Sequence, residues 1–265
     1  MIKQLRKTAK GFIKLVSLIA YHLSGTDKQN KRTFASLKSK YSGKRCFIIC
    51  NGPSLRPEDL TKIHEHGDVS IAMNMIANVY NKTSWRPTIL LATDACVFHK
   101  ANRTLVETCE AGIKCYQKTD FLRTRNVDGD IIYVSQKHSH KLLDAPKFST
   151  DSSKVQYTIG TTTYEAIEWA FYFGCREIYI LGCDMSYAVN LNRDGSITYN
   201  ESGQNHFYAK DKDFFGTIKP NPTWQMQIAY DAAEKFSRQL GFRVYNATRG
   251  GKLESFERVD FDSLF

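Results

Sequence analysis

From Arg45 onward the chain alternates between short apolar stretches, the first of which reads RCFIIC, and longer amphipathic ones. Short apolar strands that alternate with helical patterns are typical of a mostly parallel sheet covered by helices on both faces. The sequence therefore predicts an α/β, Rossmann-like domain over residues 45–265. Its predicted strands span 45–50, 69–73, 88–93, 113–117, 131–135, 177–182 and 243–247, and its predicted helices span 57–65, 161–173 and 223–240.

The stretch 186–222 interrupts this alternation. It is rich in Asn, Gly, Asp and Lys, and it is too long for a plain connection between two elements. We interpret it as a lid-like excursion beside a site.

The net positive charge of the chain lies entirely in its first 44 residues. These hold eleven Lys and Arg against one acid, Asp27, whereas residues 45–265 carry 26 basic and 26 acidic side chains. A nucleic-acid enzyme more often carries positive charge across its folded domain, so nucleic acid is not an expected partner. Residues 25–44 are predicted to be a polar linker with one helical stretch.

Residues 1–24 have the pattern of a basic amphipathic helix. Apolar residues recur at helical spacing from Leu5 to Leu23, and lysines and arginines fill the N-terminal half. The apolar stretch is interrupted by Lys14 and is shorter than the ~20 residues of a spanning helix. Either this helix lies on an anionic membrane surface as an anchor, or it packs on the body or on a partner chain.

The cysteines bear on the compartment. All seven are scattered, with no CxxC pair and no Cys/His cluster at zinc-ligand spacing. This usage is typical of a reducing compartment, so we expect a cytoplasmic protein, peripheral on the inner face of the cytoplasmic membrane. Assembly of the chain into a homo-oligomer stays open.

Polar residues follow the predicted strands. In an open α/β sheet, ligands bind at the carboxyl ends of the strands, where amide and hydroxyl groups suit the ribose and phosphate of a nucleotide. The residues at these ends are Asn51, Gly52, Pro53 and Ser54 after the first strand, Asn74 after the second, Asp94 after the third, and Asp184 and Tyr187 after the sixth.

Two glycine-containing junctions each have two interpretations. The turn 51–54 is neither GxxxxGK[ST] nor GxGxxG, so it is not a P-loop or a dinucleotide fingerprint. Gly52 either lets the backbone approach a ligand or serves a tight turn alone. In TIGTTTYEA, residues 158–166, a threonine either caps the following helix or belongs to a hydroxyl-rich donor site.

Candidate proton acceptors are few. His206, in the sequence NHFY within the excursion, serves either catalysis or substrate contact, or else a structural hydrogen bond. Asp184 binds a sugar hydroxyl, a metal or a catalytic partner, or else it caps the next segment. No DxD pair is present, so a metal is not demanded. His138 and His140 lie in a Ser/Lys-rich stretch and are interpreted as surface residues.

Three motifs carry a resemblance that covers roughly residues 45–250. They are CNGPSL after the first strand, AMN with Asn74 after the second, and GTTTYEAIEWAFYFGCREIYILGCDMSY near the middle. The chain resembles the bacterial sialyltransferases that cap lipooligosaccharide and the wider DUF115/MptE-like proteins. The latter include the flagellin-modifying motility accessory factors and an archaeal pterin diphosphokinase. The C-terminal sequence YNATRGGKLESFERVDFDSLF resembles the DUF115 side.

The resemblance implies a single Rossmann-like domain with a lid that uses a CMP-sugar donor without a metal or another cofactor. Tyr187 is the nearest match to a tyrosine that touches the donor phosphate. The other donor-binding positions that it implies are Asn51, Gly52, Ser54, Asn74, Thr158, Gly160 and Thr161.

One departure concerns the base. The family's general-base histidine lies just ahead of the last long helix, where this chain reads KPNPTW at 219–224. Deprotonation of an acceptor hydroxyl requires a positioned base of near-neutral pKa. Either His206 or Asp184 serves here, or the reaction differs.

The predicted function is a metal-independent glycosyltransferase. It would move a sugar of nonulosonic or Kdo type from a CMP-activated donor to a cell-surface glycan or lipid-linked acceptor. One alternative is a pterin-type diphosphokinase that uses Mg²⁺ and ATP, with Asp94 and Asp184 as metal ligands. The other is a noncatalytic nucleotide-sugar-binding scaffold.

Overall fold

The computed structural model describes residues 2–98, 103–200, 204–207 and 222–265. Its strands are β1 (Cys46–Ile49), β2 (Val69–Met73), β3 (Ile89–Ala92), β4 (Ile113–Gln117), β5 (Ile131–Val134), β6 (Gln136–His138), β7 (Gln156–Thr158), β8 (Glu177–Leu181), β9 (Val189–Leu191), β10 (Ile197–Tyr199), β11 (Arg243–Asn246) and β12 (Glu257–Arg258). Its α-helices are α1 (Ile2–Leu23), α2 (Thr26–Leu37), α3 (Pro57–Glu65), α4 (Arg103–Glu107), α5 (Phe121–Thr124), α6 (Lys141–Asp144), α7 (Thr162–Tyr172) and α8 (Thr223–Leu240).

Eight strands form one sheet in the order β12-β11-β8-β1-β2-β3-β4-β5, and each neighbouring pair is parallel. The seven predicted strands are confirmed, each within one residue of its expected bounds. The strand order reverses at β1, because Cys46 lies opposite Val69 of β2 on one side and Ile178 of β8 on the other. In open α/β sheets a ligand crevice lies at such a switch point.

The sheet is covered on both faces, as predicted. Side chains of successive strand residues point to opposite faces. Cys46 and Ile48 of β1 pack in a core with α2, α7 and α8, whereas Phe47 and Ile49 pack in a second core with α1 and α3. A strand that is buried on both sides has no polar alternation, which explains the wholly apolar sequence CFII of β1.

The segment 25–44 is more than a polar linker, because its helical stretch is a packed element of the domain. In α2, Asn30, Phe34 and Leu37 are buried. The Asn30 side chain donates to the carbonyl of Tyr133 at 3.0 Å and accepts from its backbone N–H at 2.7 Å. Since β5 is an edge strand, this amide takes the place of a missing neighbour strand.

The excursion 186–222 contains an antiparallel hairpin of β9 and β10. Further along, the backbone N–H of Phe207 donates to the carbonyl of Asn51 at 3.0 Å, so residues 204–207 lie against the turn after β1. The other parts of the expected lid, residues 201–203 and 208–221, lie outside the described residues.

Helix α1 is attached to the domain along one side. Tyr21 and Ser17 are buried, and the Ser17 hydroxyl accepts from the backbone N–H of Leu122 at 3.1 Å. The opposite side exposes large apolar side chains, among them Phe12 at 67% and Leu23 at 82%. Within the described ranges no helix is long and apolar enough to cross a membrane.

Candidate functional site

The turn after β1 is built by backbone hydrogen bonds to its neighbours. The N–H of Gly52 donates to the carbonyl of Gly182 at 2.9 Å. The N–H of Leu55 donates to the carbonyl of Gly52 at 3.1 Å. Pro53 occupies the second position of this turn, where its fixed φ is favoured. Pro57 begins α3, where a missing N–H costs nothing. We call residues 51–54 and 182–187 together the turn site.

Asp184 closes the turn site from the β8 side. Its Oδ2 accepts from the Ser54 hydroxyl at 2.9 Å and from the Ser54 backbone N–H at 3.3 Å. Burial raises the pKa of Asp184, and these hydrogen bonds oppose the rise. A Cβ on Gly52 would lie 1.9 Å from the same carboxylate oxygen. The glycine is therefore required by this close contact within the protein, whether or not a ligand is bound.

Two asparagine side chains at the turn leave acceptors unused. The Asn51 amide donates to the carbonyl of Met73 at 3.0 Å, which aligns the first two strand ends. The Oδ1 atoms of Asn51 and Asn74 are buried, and neither has a hydrogen-bond partner among the described residues. Asn74 also has a left-handed backbone, with φ 52°. Buried unpaired acceptors and backbone strain are both unfavourable, so together they point to a ligand with donor groups.

A small cavity of ≈ 60 Å³ lies at the turn site. Tyr187 lines it, and burial raises the pKa of this phenol, so its hydroxyl stays a hydrogen-bond donor. Asn205 lines it too, and its Oδ1 accepts from the N–H of Ala188 at 2.8 Å. Since residues 204–207 lie against Asn51, the half-buried His206 lies near the turn site. The cavity itself is too small for a whole nucleotide.

A second cavity, of ≈ 570 Å³, lies over the ends of β3, β4 and β5. We call it the strand-end cavity. Its volume is in the range of sites for nucleotide-sized ligands. Helix α1 contributes Lys14 and Leu18 to its wall. The residues that line it otherwise include Thr93, Asp94, Gln117, Lys118, Gln136, His138, Thr158, Gly160, Thr161 and Glu165.

A buried carboxylate, Glu165 in the first turn of α7, lines this cavity. It is 1% exposed and accepts from the hydroxyl of Thr93 at 3.2 Å, the amide of Gln136 at 2.5 Å and the hydroxyl of Thr158 at 2.5 Å. Burial raises the pKa of Glu165 to about 7, although all three hydrogen bonds oppose the rise. A carboxyl group that titrates near neutrality inside a cavity is typical of functional sites.

Glu165 is absent from the sequence-based candidates. The available signal is the presence of two glutamates, Glu165 and Glu168, in the otherwise apolar helix α7. Glu168 is also buried, and its pKa is raised by that burial. It accepts from the backbone N–H groups of Ser149 at 2.6 Å and Tyr157 at 2.9 Å, so it fixes a loop. Of the two, Glu165 alone lines the strand-end cavity.

The residues at the threonine-rich start of α7 have different structural roles. Thr161 caps the helix, because its side chain accepts from the N–H of Thr163 at 3.2 Å. It also lines both cavities, so the turn site and the strand-end cavity adjoin there. Gly160 has φ 72°, which only glycine adopts readily. The Thr158 hydroxyl donates to Glu165, so its oxygen can offer a ligand only acceptor lone pairs.

The predicted site residues thus fall into two neighbouring groups. Asp94 and Asp184 line different cavities. Among residues 2–98, 103–200, 204–207 and 222–265 no cluster of three or more His, Cys, Asp or Glu is arranged to hold a metal. The first group comprises Asn51, Gly52, Pro53, Ser54, Asn74, Asp184, Tyr187 and His206, the second comprises Asp94, Thr158 and Gly160, and Thr161 belongs to both.

An open parallel sheet with a polar crevice at its switch point defines a doubly wound α/β protein. The chain belongs to the MptE-like family, because the family model described as 6-hydroxymethylpterin diphosphokinase MptE-like matches residues 22–190. This match confirms the resemblance to the DUF115/MptE-like proteins that the sequence motifs indicated.

Among solved structures, the MAf glycosyltransferase from Magnetospirillum magneticum AMB-1 is similar to this chain. The TM-score is 0.55 at 17% sequence identity, over 90% of this chain and 39% of that one. This chain therefore spans about two fifths of the length of that protein. At this identity the likeness shows a shared fold. No curated protein matches the sequence.

Proposed function

We propose that the protein is a glycosyltransferase that uses a nucleotide-activated sugar, of nonulosonic or Kdo type and CMP-linked, without a metal. The observation that carries the proposal is the pair of buried, unpartnered acceptors on Asn51 and Asn74 at the switch point. The turn site next to them adjoins, at Thr161, a cavity of ≈ 570 Å³ that has room for a sugar. The shared fold with the MAf glycosyltransferase agrees with this class of reaction.

The donor would lie across both parts of the site. Ribose hydroxyls or the cytosine amino group donate hydrogen bonds, and the orphan oxygens of Asn51 and Asn74 would accept them. The phenol of Tyr187 would donate to the phosphate and stabilise it as it departs. The sugar would extend past Thr161, which lines both cavities, into the strand-end cavity.

Transfer requires attack by an acceptor hydroxyl on the anomeric carbon. Of the two bases expected from the sequence, Asp184 already accepts two hydrogen bonds from Ser54, which suits a positioning role at the turn. His206 lies on the same side of the sheet edge, next to the turn. Both therefore lie at the donor end of the site.

We propose that α1 attaches the enzyme to an anionic membrane surface, where a glycan or lipid-linked acceptor would be met. The argument is charge complementarity, because the exposed apolar side chains of α1 lie in a segment with eleven basic residues and one acid. The same helix lines the strand-end cavity through Lys14 and Leu18. An acceptor that is held in the membrane would thus approach the cavity wall.

Vesicle flotation tests the attachment. The full chain should float with phosphatidylglycerol vesicles and much less with phosphatidylcholine, and Phe12→Ser with Ile19→Ser should reduce flotation at least tenfold. Ile197→Ser, at an exposed apolar residue of β10, is the matched control and should float normally. If light scattering instead showed that the α1 substitutions convert an oligomer into a monomer, and flotation did not change, α1 would bind a second copy of the chain.

Calorimetry tests the donor proposal. CMP should bind equally well in EDTA and in Mg²⁺, and Asn51→Ala should weaken this binding at least tenfold. Asn126→Ala, at an exposed position away from the turn, is the control and should bind like the natural chain. Binding of ATP that requires Mg²⁺, with none of CMP, would replace the transferase with a diphosphokinase. CMP binding without turnover of any CMP-sugar would indicate the scaffold.

A further inference from the structure

A chain of three polar side chains connects the interior of the strand-end cavity to a histidine. The amide Nε2 of Gln136 donates to Oε2 of Glu165 at 2.5 Å. Its Oε1 lies 3.3 Å from Nε2 of His138. Gln136 and His138 occupy the two ends of β6, which is separated from β5 by Ser135 alone. His138 lines the strand-end cavity and an adjoining cavity of ≈ 270 Å³.

This chain of hydrogen bonds selects one form of the imidazole. Glu165 is buried, and when ionised it accepts only, so the Gln136 amide must turn its NH₂ toward the carboxylate. Its carbonyl then faces His138, where it accepts from an N–H on Nε2. The neutral ring consequently carries its proton on Nε2 and keeps a lone pair on Nδ1. An imidazole with a fixed basic nitrogen is the usual form of a general base.

The surroundings of His138 favour, on balance, the neutral ring, which is the form that can accept a proton. His138 is an exposed residue, but partial desolvation beside the cavity lowers its pKa, Lys14 of α1 lowers it further, and Asp94 after β3 opposes them. Lys118 after β4 also lines the cavity, and burial lowers the pKa of that ammonium. Glu165 of α7 acts on the ring through Gln136. At neutral pH an unprotonated His138 is thus available to receive a proton.

We infer that His138 is the general base of the transfer, and that Gln136 and Glu165 are its positioning residues. This inference depends on the proposed function. The acceptor O–H bond breaks and its proton passes to Nδ1 of His138. The oxygen forms a bond to the anomeric carbon, and the bond from that carbon to the phosphate oxygen breaks. The bonding electron pair leaves with CMP.

The position of His138 favours it over the two bases at the turn site. His206 lies where residues 204–207 contact Asn51, at the end where the nucleotide would bind. Asp184 is held by Ser54. His138 instead shares its cavity with Thr158 and Gly160, in the roomier part where a sugar and an acceptor hydroxyl can meet.

The first test separates turnover from binding. With CMP-N-acetylneuraminate as probe, His138→Ala should lower kcat for CMP release at least 100-fold, while the Kd for CMP changes less than threefold. His64→Ala, at an exposed histidine of α3, is the control and should keep full turnover. If His206→Ala caused the large loss in kcat and His138→Ala did not, the inference would be wrong.

The second test needs no substrate. In ¹⁵N-histidine NMR, His138 should carry its neutral proton on Nε2. The pKa of His138 should fall in both Gln136→Leu and Glu165→Gln, because in each variant the Glu165 carboxylate no longer favours the imidazolium. The pKa of His64 should not change in either variant. In both variants the acid limb of the profile of kcat against pH should move to lower pH by the same amount as the pKa of His138. A His138 resonance that titrates identically in all three proteins would overturn the inference.

These two tests distinguish the inference from the function on which it depends. Absence of CMP binding in the natural chain would overturn the transferase, whereas the NMR result would still decide whether Gln136 and Glu165 control His138. Binding of CMP together with an uncoupled His138 would leave the transferase standing and remove its base.

Discussion

The turn site and the strand-end cavity lie at the same edge of one sheet, yet they are built in opposite ways. The turn site is closely packed: Ser54 donates to Asp184, Gly52 lies against the carboxylate, and a cavity of only ≈ 60 Å³ remains, although Oδ1 of Asn51 has no hydrogen-bond partner among the described residues. The strand-end cavity has ≈ 570 Å³ and contains Glu165, a carboxyl group whose pKa burial raises to about 7.

This difference suggests that the two regions have different functions. A rigid turn with a few unpaired acceptors suits the recognition of a constant group, such as a nucleotide, because little has to be ordered on binding. An open cavity with a titratable group suits the variable sugar, the acceptor and the movement of a proton. Each of the following substitutions probes one side of this contrast.

Gly52→Ala should produce the largest effect, since the new Cβ would lie 1.9 Å from Oδ2 of Asp184 and 2.5 Å from the carbonyl of Gly182. Overpacking against backbone is poorly relieved, so we expect a loss of about 3 kcal/mol in the free energy of unfolding, measured in urea. Gly11→Ala, which has open space around it, should lose nothing. Adding Asp184→Ala to Gly52→Ala should restore part of the loss. Unchanged stability of Gly52→Ala would show that the turn is not closed.

Glu165→Gln should change how stability depends on pH. The pKa of Glu165 rises from 4.5 to about 7 on folding, so the folded chain binds the proton more tightly. This contribution is present below pH 4.5 and is lost as pH rises through 7. The variant should gain up to about 3 kcal/mol relative to the natural chain between pH 4.5 and 8, measured by urea unfolding. Glu177→Gln, at an exposed residue of β8, is the control. A pH-independent difference would show that Glu165 is ionised throughout.

Asn74→Gly should give the smallest change in stability, with opposite effects on folding and on binding. Glycine relieves the left-handed backbone and removes the unpaired Oδ1, so thermal melting should show a gain of about 1 kcal/mol. CMP affinity in calorimetry should fall about tenfold, which corresponds to about 1.4 kcal/mol. A variant that was less stable and bound CMP normally would assign Asn74 a purely structural role.

The sheet was predictable because its strands are local signals. Every residue of the run CFII in β1 is apolar because both faces of the strand are buried, and the turn 51–54 could be located from the end of that run. The switch point between β1 and β8 joins residues far apart in the chain, but the rule for strand ends places Asp184 near it.

Glu165 and His138 could not be identified in this way. Two of the three hydrogen-bond partners of Glu165, Thr93 and Gln136, lie 72 and 29 residues earlier in the chain, so no local pattern indicates them. His138 is exposed, as its polar stretch predicts, but the sequence does not show that β6 also brings it to the cavity. Similarly, α2 reads as a polar linker because only three of its side chains are buried.

The unpaired oxygens of Asn51 and Asn74 are proposed to bind a nucleotide without a metal. The most direct measurement is NMR of the ¹⁵N-asparagine-labelled protein, titrated with CMP in EDTA. The side-chain amide resonances of Asn51 and Asn74 should shift together and saturate, while that of Asn126, away from the turn, stays fixed. If both resonances stayed in place with CMP and moved only with ATP and Mg²⁺, the claim would be contradicted.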